Sequence, residues 1–584
     1  MSSRRASPST PSSMPRRSTR PRSSRPGRRT PVADTPSPSL HHDDEPQDVG
    51  VSRRWVVNRI AWTSAAATAG AVLPAAPALA RTGPAGPSSP LPEVKGKPKG
   101  DLTELTAAQI VGYIRKGRLT AADMVHAYVD RIEEHDDVYQ AYVDRPSRKA
   151  LVALAERRVS RVGPLAGIGL APKDNFYTRD LLTEGGSLVY QGFRPTYNAT
   201  AIKLLRRAGG LVLGKASMGP LAGGRATVYG TEIPTTRNAW TPDDVRYSPA
   251  GSSSGPGAAV AARIATAGIG TQTGGSIMGP AVAEGLTAVK PTFGRTSLHG
   301  VIPLTFTRDH VGPMCRDAMD AAMLLQVLAA PDPKDPRTQG LPAAPDYIRA
   351  ATPVVRGKRT ALRWKTRIGY WPGYLTTSDE ATNKMRAATL RTLERMHNCS
   401  VIGEVTIPDD WDALTANPLG GSYAEPTPAF IDKLREDVRP FAQRLPRMLN
   451  GMLQSGDTYI RVQQARLLLA QRMMAQVFSS CDVLFTTSTG AFDSVGFPLL
   501  CMPTGFSPDP TTGYTVPRGV TLGAAPFGEQ RLLSVAATFQ AETTFHLVRP
   551  PDPTSAGRAD AAGPGRAARR GATVPALDEP DDLE

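Results

Sequence analysis

Cysteine is scarce in this sequence. Only four of the 584 residues are cysteines, and none of them stands in a CxxC pair or in another metal-ligand spacing: Cys315, Cys399, Cys481 and Cys501. The sequence therefore gives no support to a structural zinc site. Outside the cytoplasm one or two disulfides are an option, but a protein of this size does not need them, so buried free thiols are an equal alternative.

Beyond residue 80 the sequence has no long apolar run, and we expect that part of the chain to be soluble. It also has no basic stripe interleaved with aromatic residues, although the net charge is +16. Twelve Arg against five acidic residues in 1–80 account for a surplus of seven, which leaves +9 for the much longer remainder. We therefore expect an ordinary solvated surface and no nucleic-acid partner.

The two ends of the chain differ in composition from its middle. Residues 1–50 are rich in Ser, Arg and Pro, and residues 551–584 are rich in Pro, Ala, Gly, Arg and Asp, without apolar periodicity. Such segments bury too little apolar surface to offset the entropy of ordering. We expect both to be disordered, with a Pro/Gly-rich linker at 81–100 and one catalytic domain at 101–550.

Residues 51–80 have the layout of an export signal. Paired arginines, Arg53 and Arg54, precede an Ala-rich apolar run that starts at Ala61 and closes with the small-x-small sequence ALA at 78–80. This order is typical of a twin-arginine signal peptide, so we predict an exported protein. A membrane anchor is the alternative because the run is long enough to span a bilayer, but its Ala, Thr and Ser content favours cleavage, with no membrane contact afterwards.

Helix and strand patterns alternate through the predicted domain. A capping box at 120–123 opens a helix, and a second helix ends at Gly209-Gly210, before a strand at 211–213. An apolar run at 165–171 predicts a buried strand that leads directly to Lys173. The second half of the domain repeats the mixture, with strands near Ile368 and at 483–485 and a long helix at about 378–396. This alternation predicts an α/β fold, with a sheet covered by helices on both faces.

Two of three Gly- or Ser-rich segments match known motifs only in part. Residues 209–216 nearly form a phosphate-binding loop, but Ala216 occupies the place of the magnesium-binding hydroxyl, and a helix stop, strand and turn explain them fully. Residues 251–255 fit the G-x-S-x-G nucleophile elbow with Ser253 at its centre, yet no hydrophobic strand precedes them. An esterase using Ser253 remains an alternative, and it would need a histidine from the following set: His299, His310, His397 and His546.

The third segment, GTQTGGSI at 270–277, lies between apolar stretches and is therefore unlike a linker. Two glycines before Ser276 let the backbone turn tightly and direct successive N–H groups to one point, as an oxyanion site requires.

Several further segments accompany it in a fixed order, namely GLAPKDN at 169–175, SPAGSSSG at 248–255, KPTFGR at 290–295, GVIP at 300–303, VGP at 311–313, DVLFTT at 482–487 and APFGE at 525–529. Together they resemble the amidase signature hydrolases over about residues 101–550. The interval of 24 residues between Ser252 and Ser276 also matches that family. The resemblance implies the amidase signature fold, a large mixed central β-sheet with helices on both faces, and hydrolysis of a carboxamide to a carboxylic acid and ammonia or an amine.

The resemblance also implies a role for each matching residue. Ser276 would be the nucleophile, and Ser252, after a cis peptide bond, would relay its proton to Lys173, with Ser253 in support. The backbone of Thr273, Gly274 and Gly275 would supply the oxyanion donors. An unperturbed lysine has a pKa of about 10.4, so Lys173 needs a pKa lowered by roughly three units, which burial would provide. This chemistry needs no metal or organic cofactor.

The sequence departs from the family pattern near the proposed nucleophile. Gln272 stands where the family commonly has an acidic residue, Met278 where an arginine is frequent, and Ser254 and Pro256 alter the Gly/Ser run. These changes spare the triad and point to a retuned acyl pocket. The triple serine and the export signal look more like secreted peptide amidases than like the amidotransferase component that supplies ammonia for aminoacyl-tRNA. The substrate class stays open among small-molecule and peptide amides, and no feature indicates an oligomeric state.

Overall fold

A computed structural model describes residues 91–158, 163–357, 359–420, 424–509 and 512–554. The predicted disordered segment 1–50, the export signal 51–80 and most of the predicted tail lie outside the described residues, and these three assignments stay predictions. Strands have the following bounds: β1 Tyr142–Asp144, β2 Gly169–Pro172, β3 Leu211–Val212, β4 Lys215–Ala216, β5 Ala267–Gln272, β6 Thr287–Lys290, β7 His310–Cys315, β8 Val354–Arg356, β9 Arg359–Tyr370, β10 His397–Glu404, β11 Val483–Thr486, β12 Leu499–Pro508 and β13 Thr515–Gly523.

The α-helices have the following bounds: α1 Ala107–Arg115, α2 Ala121–Tyr139, α3 Arg148–Arg158, α4 Thr200–Arg207, α5 Ser254–Ala261, α6 Met278–Ala283, α7 Ala318–Leu328, α8 Tyr347–Ala350, α9 Glu380–Glu394, α10 Trp411–Gly420, α11 Pro426–Glu436, α12 Leu445–Met452, α13 Gly456–Arg472, α14 Gly490–Val495 and α15 Glu529–Ala541. Single helical turns connect several of them.

One 11-stranded sheet runs through the domain in the order β10-β9-β11-β13-β12-β6-β7-β5-β2-β3, and β8 pairs with β9. Neighbouring strands are parallel at the two ends of this order, in β10-β9-β11 and in β5-β2-β3. They are antiparallel in between. The mixed central sheet expected from the sequence is therefore confirmed.

Successive residues of the central strands contribute to opposite sides of the sheet. In β11, Val483 and Phe485 belong to one apolar core, which also includes residues of α7 and α15. Leu484 belongs to the other core, together with residues of α2 and α5. Side chains alternate between the two faces of a strand, so a strand buried on both faces reads as a continuous apolar run. Helices cover both faces, as predicted.

Several local predictions are also confirmed. The capping box opens α2, with the Asp123 amide donating to Thr120 Oγ1 at 3.1 Å and the Thr120 amide donating to Asp123 Oδ2 at 2.8 Å. The long predicted helix corresponds to α9. The strand predicted from residue 165 begins only at Gly169, because a turn precedes it in which Gly167 has φ +76° and no room for a Cβ beside Ile114.

Described residues just outside the predicted domain at 101–550 contact it. Lys116, directly after α1, donates from Nζ to the Val94 carbonyl at 2.7 Å. At the other end, the buried guanidinium of Arg131 pairs with Asp552. The predicted boundaries of the linker at 81–100 and of the tail at 551–584 stay predictions.

The structure also describes the state of the cysteines and the hydrophobicity of the helices. All four cysteines, which the structure describes, carry free thiols. Among the described residues no helix is both long and apolar enough to cross a membrane.

The double-sided burial of the sheet leads to a stability prediction. Leu500 in β12 is 0% exposed, whereas Leu453 is 84% exposed. We expect Leu500→Ala to lower the free energy of unfolding by about 2 to 5 kcal/mol because it leaves a cavity in the core. The matched Leu453→Ala control should change it by less than about 0.5 kcal/mol. Chemical denaturation measures both, and equal effects would contradict the described placement of β12.

Candidate active site

The two parallel neighbours β2 and β5 bring the first site residues together. Lys173 follows the last residue of β2, and its amide donates to the Ile269 carbonyl of β5 at 2.9 Å. The loop that carries Ser276 follows the last residue of β5. Because the carboxyl ends of parallel strands meet at one edge of a sheet, Lys173 and this loop lie side by side.

The side chain of Lys173 is completely buried, at 0% exposure. Its Nζ donates to Ser252 Oγ at 2.7 Å, to Thr271 Oγ1 at 2.8 Å and to the Thr271 carbonyl at 3.3 Å. Every hydrogen-bond partner of this ammonium group is therefore neutral.

Burial without a carboxylate partner lowers the pKa of Lys173 from 10.5 to about 7, and the charge of Asp309 opposes this shift only in part. Such a lysine is partly neutral at physiological pH and is able to accept a proton from the hydroxyl it contacts. A pKa of about 7 is the value that a lysine needs in order to act as a base near neutral pH.

Ser252 is held by its backbone as well as by Lys173. The Gly251–Ser252 peptide bond is cis, as expected. The Ser252 carbonyl accepts from the Gly219 amide at 3.1 Å, and a Cβ on Gly251 would lie only 2.0 Å from the Gly224 carbonyl oxygen. Only glycine therefore fits at position 251, where the chain passes against a neighbouring backbone.

Ser276 lies beside this segment. The Ser253 amide donates to the Ser276 carbonyl at 3.2 Å, and Ser276 is 8% exposed. Within the described ranges, the Ser276 hydroxyl makes no hydrogen bond, to Ser252 or to any other group. The structure thus joins Lys173 to Ser252 directly and brings Ser276 next to them through backbone contacts.

The three backbone donors proposed for an oxyanion differ in their environment. Gly274 is exposed, and a Cβ there would meet no atom within 4 Å. In the parts of the chain that the structure describes, the amides of Thr273 and Gly274 donate no hydrogen bond within the protein. The Gly275 amide, in contrast, donates to Asp493 Oδ2 at 2.9 Å. The assignment of Gly275 is therefore corrected, because a carboxylate already occupies its N–H, and Thr273 and Gly274 remain as candidates.

Ser253 does not have the geometry of a nucleophile elbow. It is 0% exposed, and its hydroxyl donates to the Thr271 carbonyl at 3.3 Å. Among the described residues no strand lies between Ala216 and Ser254, and no histidine is a hydrogen-bond partner of Ser253. Its position, under Thr271, instead supports the segment that holds Lys173.

The segment that resembles a phosphate-binding loop also has a structural role. Lys215 is buried, forms an ion pair with Asp174 at 3.2 Å and donates to Thr183 Oγ1 at 2.7 Å. Its ammonium group is enclosed by protein and is not available to a phosphate.

Three residues that the sequence did not reveal as part of the site hold it together. Thr271 accepts from both Lys173 and Asn175 through its hydroxyl. Asp309 accepts a short hydrogen bond from the Thr273 hydroxyl and two more from backbone amides at 304 and 305. Asp493 is the third. Thr271 lies in the segment at 270–277, at a position to which the motif assigns no role, whereas Asp309 and Asp493 lie outside the recognised motifs. Their part in the site follows only from their contacts in the folded chain.

Asp493 and Gln272 together clamp the loop that carries Ser276. Gln272 Nε2 donates to Asp493 Oδ1 at 2.7 Å, and Gln272 Oε1 accepts from the amides of Ile277 and Met278 at 2.8 and 3.0 Å. With the bond from Gly275 to Asp493, the loop is held on both sides of Ser276. The buried carboxylate at this loop thus comes from a residue 221 positions from Gln272 in the chain.

Lys290 supplies the positive charge next to this carboxylate. Its Nζ lies 3.5 Å from Asp493 Oδ1 and donates to the Phe497 carbonyl at 2.6 Å. Burial lowers the pKa of Lys290 to about 8, while the charge of Asp493 acts in the opposite direction.

Comparison with known proteins places this geometry in context. The family model described as Amidase matches residues 123–494, which include Lys173, Ser252 and Ser276. A glutamyl-tRNA(Gln) amidotransferase component from Geobacter sp. (strain M21) is 31% identical over 504 residues, covering 77% of this chain and 100% of the relative. The putative amidase AmiD of Mycobacterium bovis is 31% identical over 491 residues, covering 77% of this chain and 96% of the relative.

Solved structures agree with the fold. The native peptide amidase from Stenotrophomonas maltophilia has a TM-score of 0.65 and 26% identity, covering 77% of this chain and 98% of that chain. The corresponding glutamyl-tRNA(Gln) amidotransferase component from Thermotoga maritima, at 22% identity and a TM-score of 0.58, covers 76% of this chain and 95% of that chain and shares the fold.

The Asp493 clamp leads to a second stability prediction. Asp493→Asn keeps the shape of the side chain but replaces one carboxylate oxygen by an NH₂ group. This new donor would face either Gln272 Nε2 or the Gly275 amide, which are donors themselves. We expect the free energy of unfolding to fall by about 2 to 4 kcal/mol, because buried donors and Lys290 lose their acceptor. The matched control is Asp432→Asn, whose carboxylate is 85% exposed and should contribute almost nothing. Equal denaturation midpoints for the two variants would refute the clamp.

Proposed function

Because this chain belongs to the amidase family and is an amide-hydrolysing enzyme, we propose that it acts through an acyl-enzyme on Ser276. Ser252 relays the proton and Lys173 is the base. The observation that carries this proposal is the 2.7 Å contact between Lys173 Nζ and Ser252 Oγ, combined with the lowered pKa of the buried lysine. A base with a pKa near the working pH is the most effective proton acceptor.

The proposed reaction proceeds in two halves. Ser276 Oγ attacks the amide carbonyl while its proton passes to Ser252, whose own proton passes to neutral Lys173. The amides of Thr273 and Gly274 stabilise the oxyanion of the tetrahedral intermediate. The C–N bond then breaks, and the proton returns through Ser252 to the departing nitrogen. Water attacks the acyl ester by the same proton path and releases the carboxylic acid.

The class of substrate is part of the proposal. The likeness to the peptide amidase supports small-molecule and C-terminal peptide amides as substrates, and the signal layout at 51–80 supports action outside the cytoplasm. A second candidate is an amidotransferase-type component, which would release ammonia from an amide for use by a partner. The full-length similarity to the Geobacter relative favours it.

A direct assay separates these two candidates. We expect the purified chain to release ammonia from peptide amides and simple carboxamides without any partner protein. If glutamine is the only amide that it hydrolyses at a measurable rate, the amidotransferase-type function is the correct one.

Labelling should identify the nucleophile. We expect a fluorophosphonate probe to modify Ser276, and Ser276→Ala to abolish labelling and lower kcat/KM on the order of 10³-fold or more. Ser253→Ala, its matched neighbour, should still be labelled at Ser276. Peptide mapping by mass spectrometry gives the site, and a label found on Ser253 would support the esterase alternative instead.

The pKa of Lys173 predicts a pH profile. The base is active when deprotonated, so kcat/KM should rise about tenfold per pH unit below the pKa and level off above about pH 7. Lys173→Ala should leave a low residual rate without this inflection. The measurement is kcat/KM from about pH 5.5 to about pH 9 at constant ionic strength, a range that brackets the expected inflection. A profile that is flat across neutrality in the unsubstituted enzyme would exclude Lys173 as the base.

A further inference from the structure

A cavity of about 430 Å³ lies against the loop that carries Ser276. Its walls include Met278 and Gly279, two and three residues after Ser276, and Thr489. Thr489 Oγ1 is 3.6 Å from the place where a Cβ on Gly275 would stand. The cavity is thus bounded by the nucleophile loop itself.

Gly279, in the cavity wall, lies against the segment that carries Ser252. A Cβ on Gly279 would lie 3.7 Å from Ala250 Cβ and 3.8 Å from the Gly251 carbonyl oxygen. Because Gly279 has no side chain, this part of the wall is backbone, and a substrate group is able to approach it closely.

The charge of the cavity is positive. Two arginines line it, Arg386 of α9 and Arg518 of β13, and no Asp or Glu of the described residues does so. A cleft lined by one sign of charge attracts ligands of the opposite sign.

Neutral groups hold both arginines in place. Arg386 Nη1 donates to the Tyr374 carbonyl at 2.8 Å, and its guanidinium lies 4.5 Å from the centre of the Tyr374 ring. Arg518 Nε donates to Ser507 Oγ at 2.8 Å and its Nη2 to the Pro508 carbonyl at 3.1 Å.

Neither guanidinium has a carboxylate within 4.0 Å in the described part of the chain. The pKa of Asp379 is lowered mainly by its hydrogen bonds from Thr382, and only slightly by Arg518. A guanidinium has five N–H donors, so donors of both arginines remain for a ligand.

The cavity suits the acyl half of a substrate better than the leaving group. The nucleophile loop is open at Gly274, which is exposed and has free space around it. An amine is able to leave through that opening. The acyl group stays bonded to Ser276 and needs room beside the loop, which the cavity lined by Met278, Val282 and the two arginines provides.

We propose that this cavity selects carboxamides whose acyl chain ends in a carboxylate or a similar anionic group, which Arg386 and Arg518 bind. The inference rests on the proposed acyl-enzyme at Ser276 and adds the substrate class. Charge-assisted hydrogen bonds of this kind contribute enough to give roughly tenfold selectivity per arginine.

The test compares two matched pairs of amides: glutaramic acid with pentanamide, and adipamic acid with hexanamide. We expect kcat/KM to be at least about tenfold higher for the anionic member of a pair. Arg386→Gln and Arg518→Gln should each reduce that ratio about tenfold, mainly through the KM of the anionic amide. The control is Arg391→Gln, an exposed arginine near the end of α9 that does not line the cavity.

Two other results would contradict different parts of the proposal. Hydrolysis of both members at equal kcat/KM, or an equal loss for both in the arginine variants, overturns the anionic acyl pocket and leaves the acyl-enzyme intact. If no amide is hydrolysed and no probe labels Ser276, the proposed function fails, and the pocket assignment fails with it.

Discussion

The burial of one ammonium group, that of Lys173, is the constraint on which the rest of this site depends. At 0% exposure and with only neutral hydrogen-bond partners, the lysine loses the solvation that normally keeps it charged. A nearby carboxylate in direct contact would restore the charge and remove its value as a base. The fold keeps Asp309, the carboxylate whose charge acts on Lys173, occupied by Thr273 and two backbone amides.

Charges around the site are buried in pairs, in contrast to this lysine. Lys215 faces Asp174, and Lys290 faces Asp493. A contacting carboxylate opposes the effect of burial on the pKa of Lys215 and of Lys290 and fixes the geometry of each pair. These two lysines therefore serve as supports for the loops, and among the described residues Lys173 alone of the three lacks a contacting carboxylate.

The proposed substrate preference, like the proposed role of Lys173, depends on charged side chains and their immediate surroundings. The nucleophile loop is open to solvent at Gly274, and the cavity begins at Met278 and Gly279, so the two halves of an amide meet different environments. Two arginines line this cavity, neither with a carboxylate within 4.0 Å among the described residues. Two departures from the family pattern belong to these surroundings. Gln272 donates a hydrogen bond to the carboxylate of Asp493, and Met278 forms part of the cavity wall.

The sequence by itself determined the α/β class and the alternating elements, and it pointed to Lys173, Ser252 and Ser276 as the proposed catalytic residues, because apolar periodicity, caps and contiguous motifs are local properties of the chain. It predicted a Gly275 donor incorrectly and missed Thr271, Asp309 and Asp493. Asp493 stands 217 residues after Ser276 in the chain but accepts a hydrogen bond from the loop beside it. Such contacts, the pKa of Lys173 and the cavity between α6, α9 and β13 arise only when distant segments pack together, since burial and proximity are properties of the folded chain.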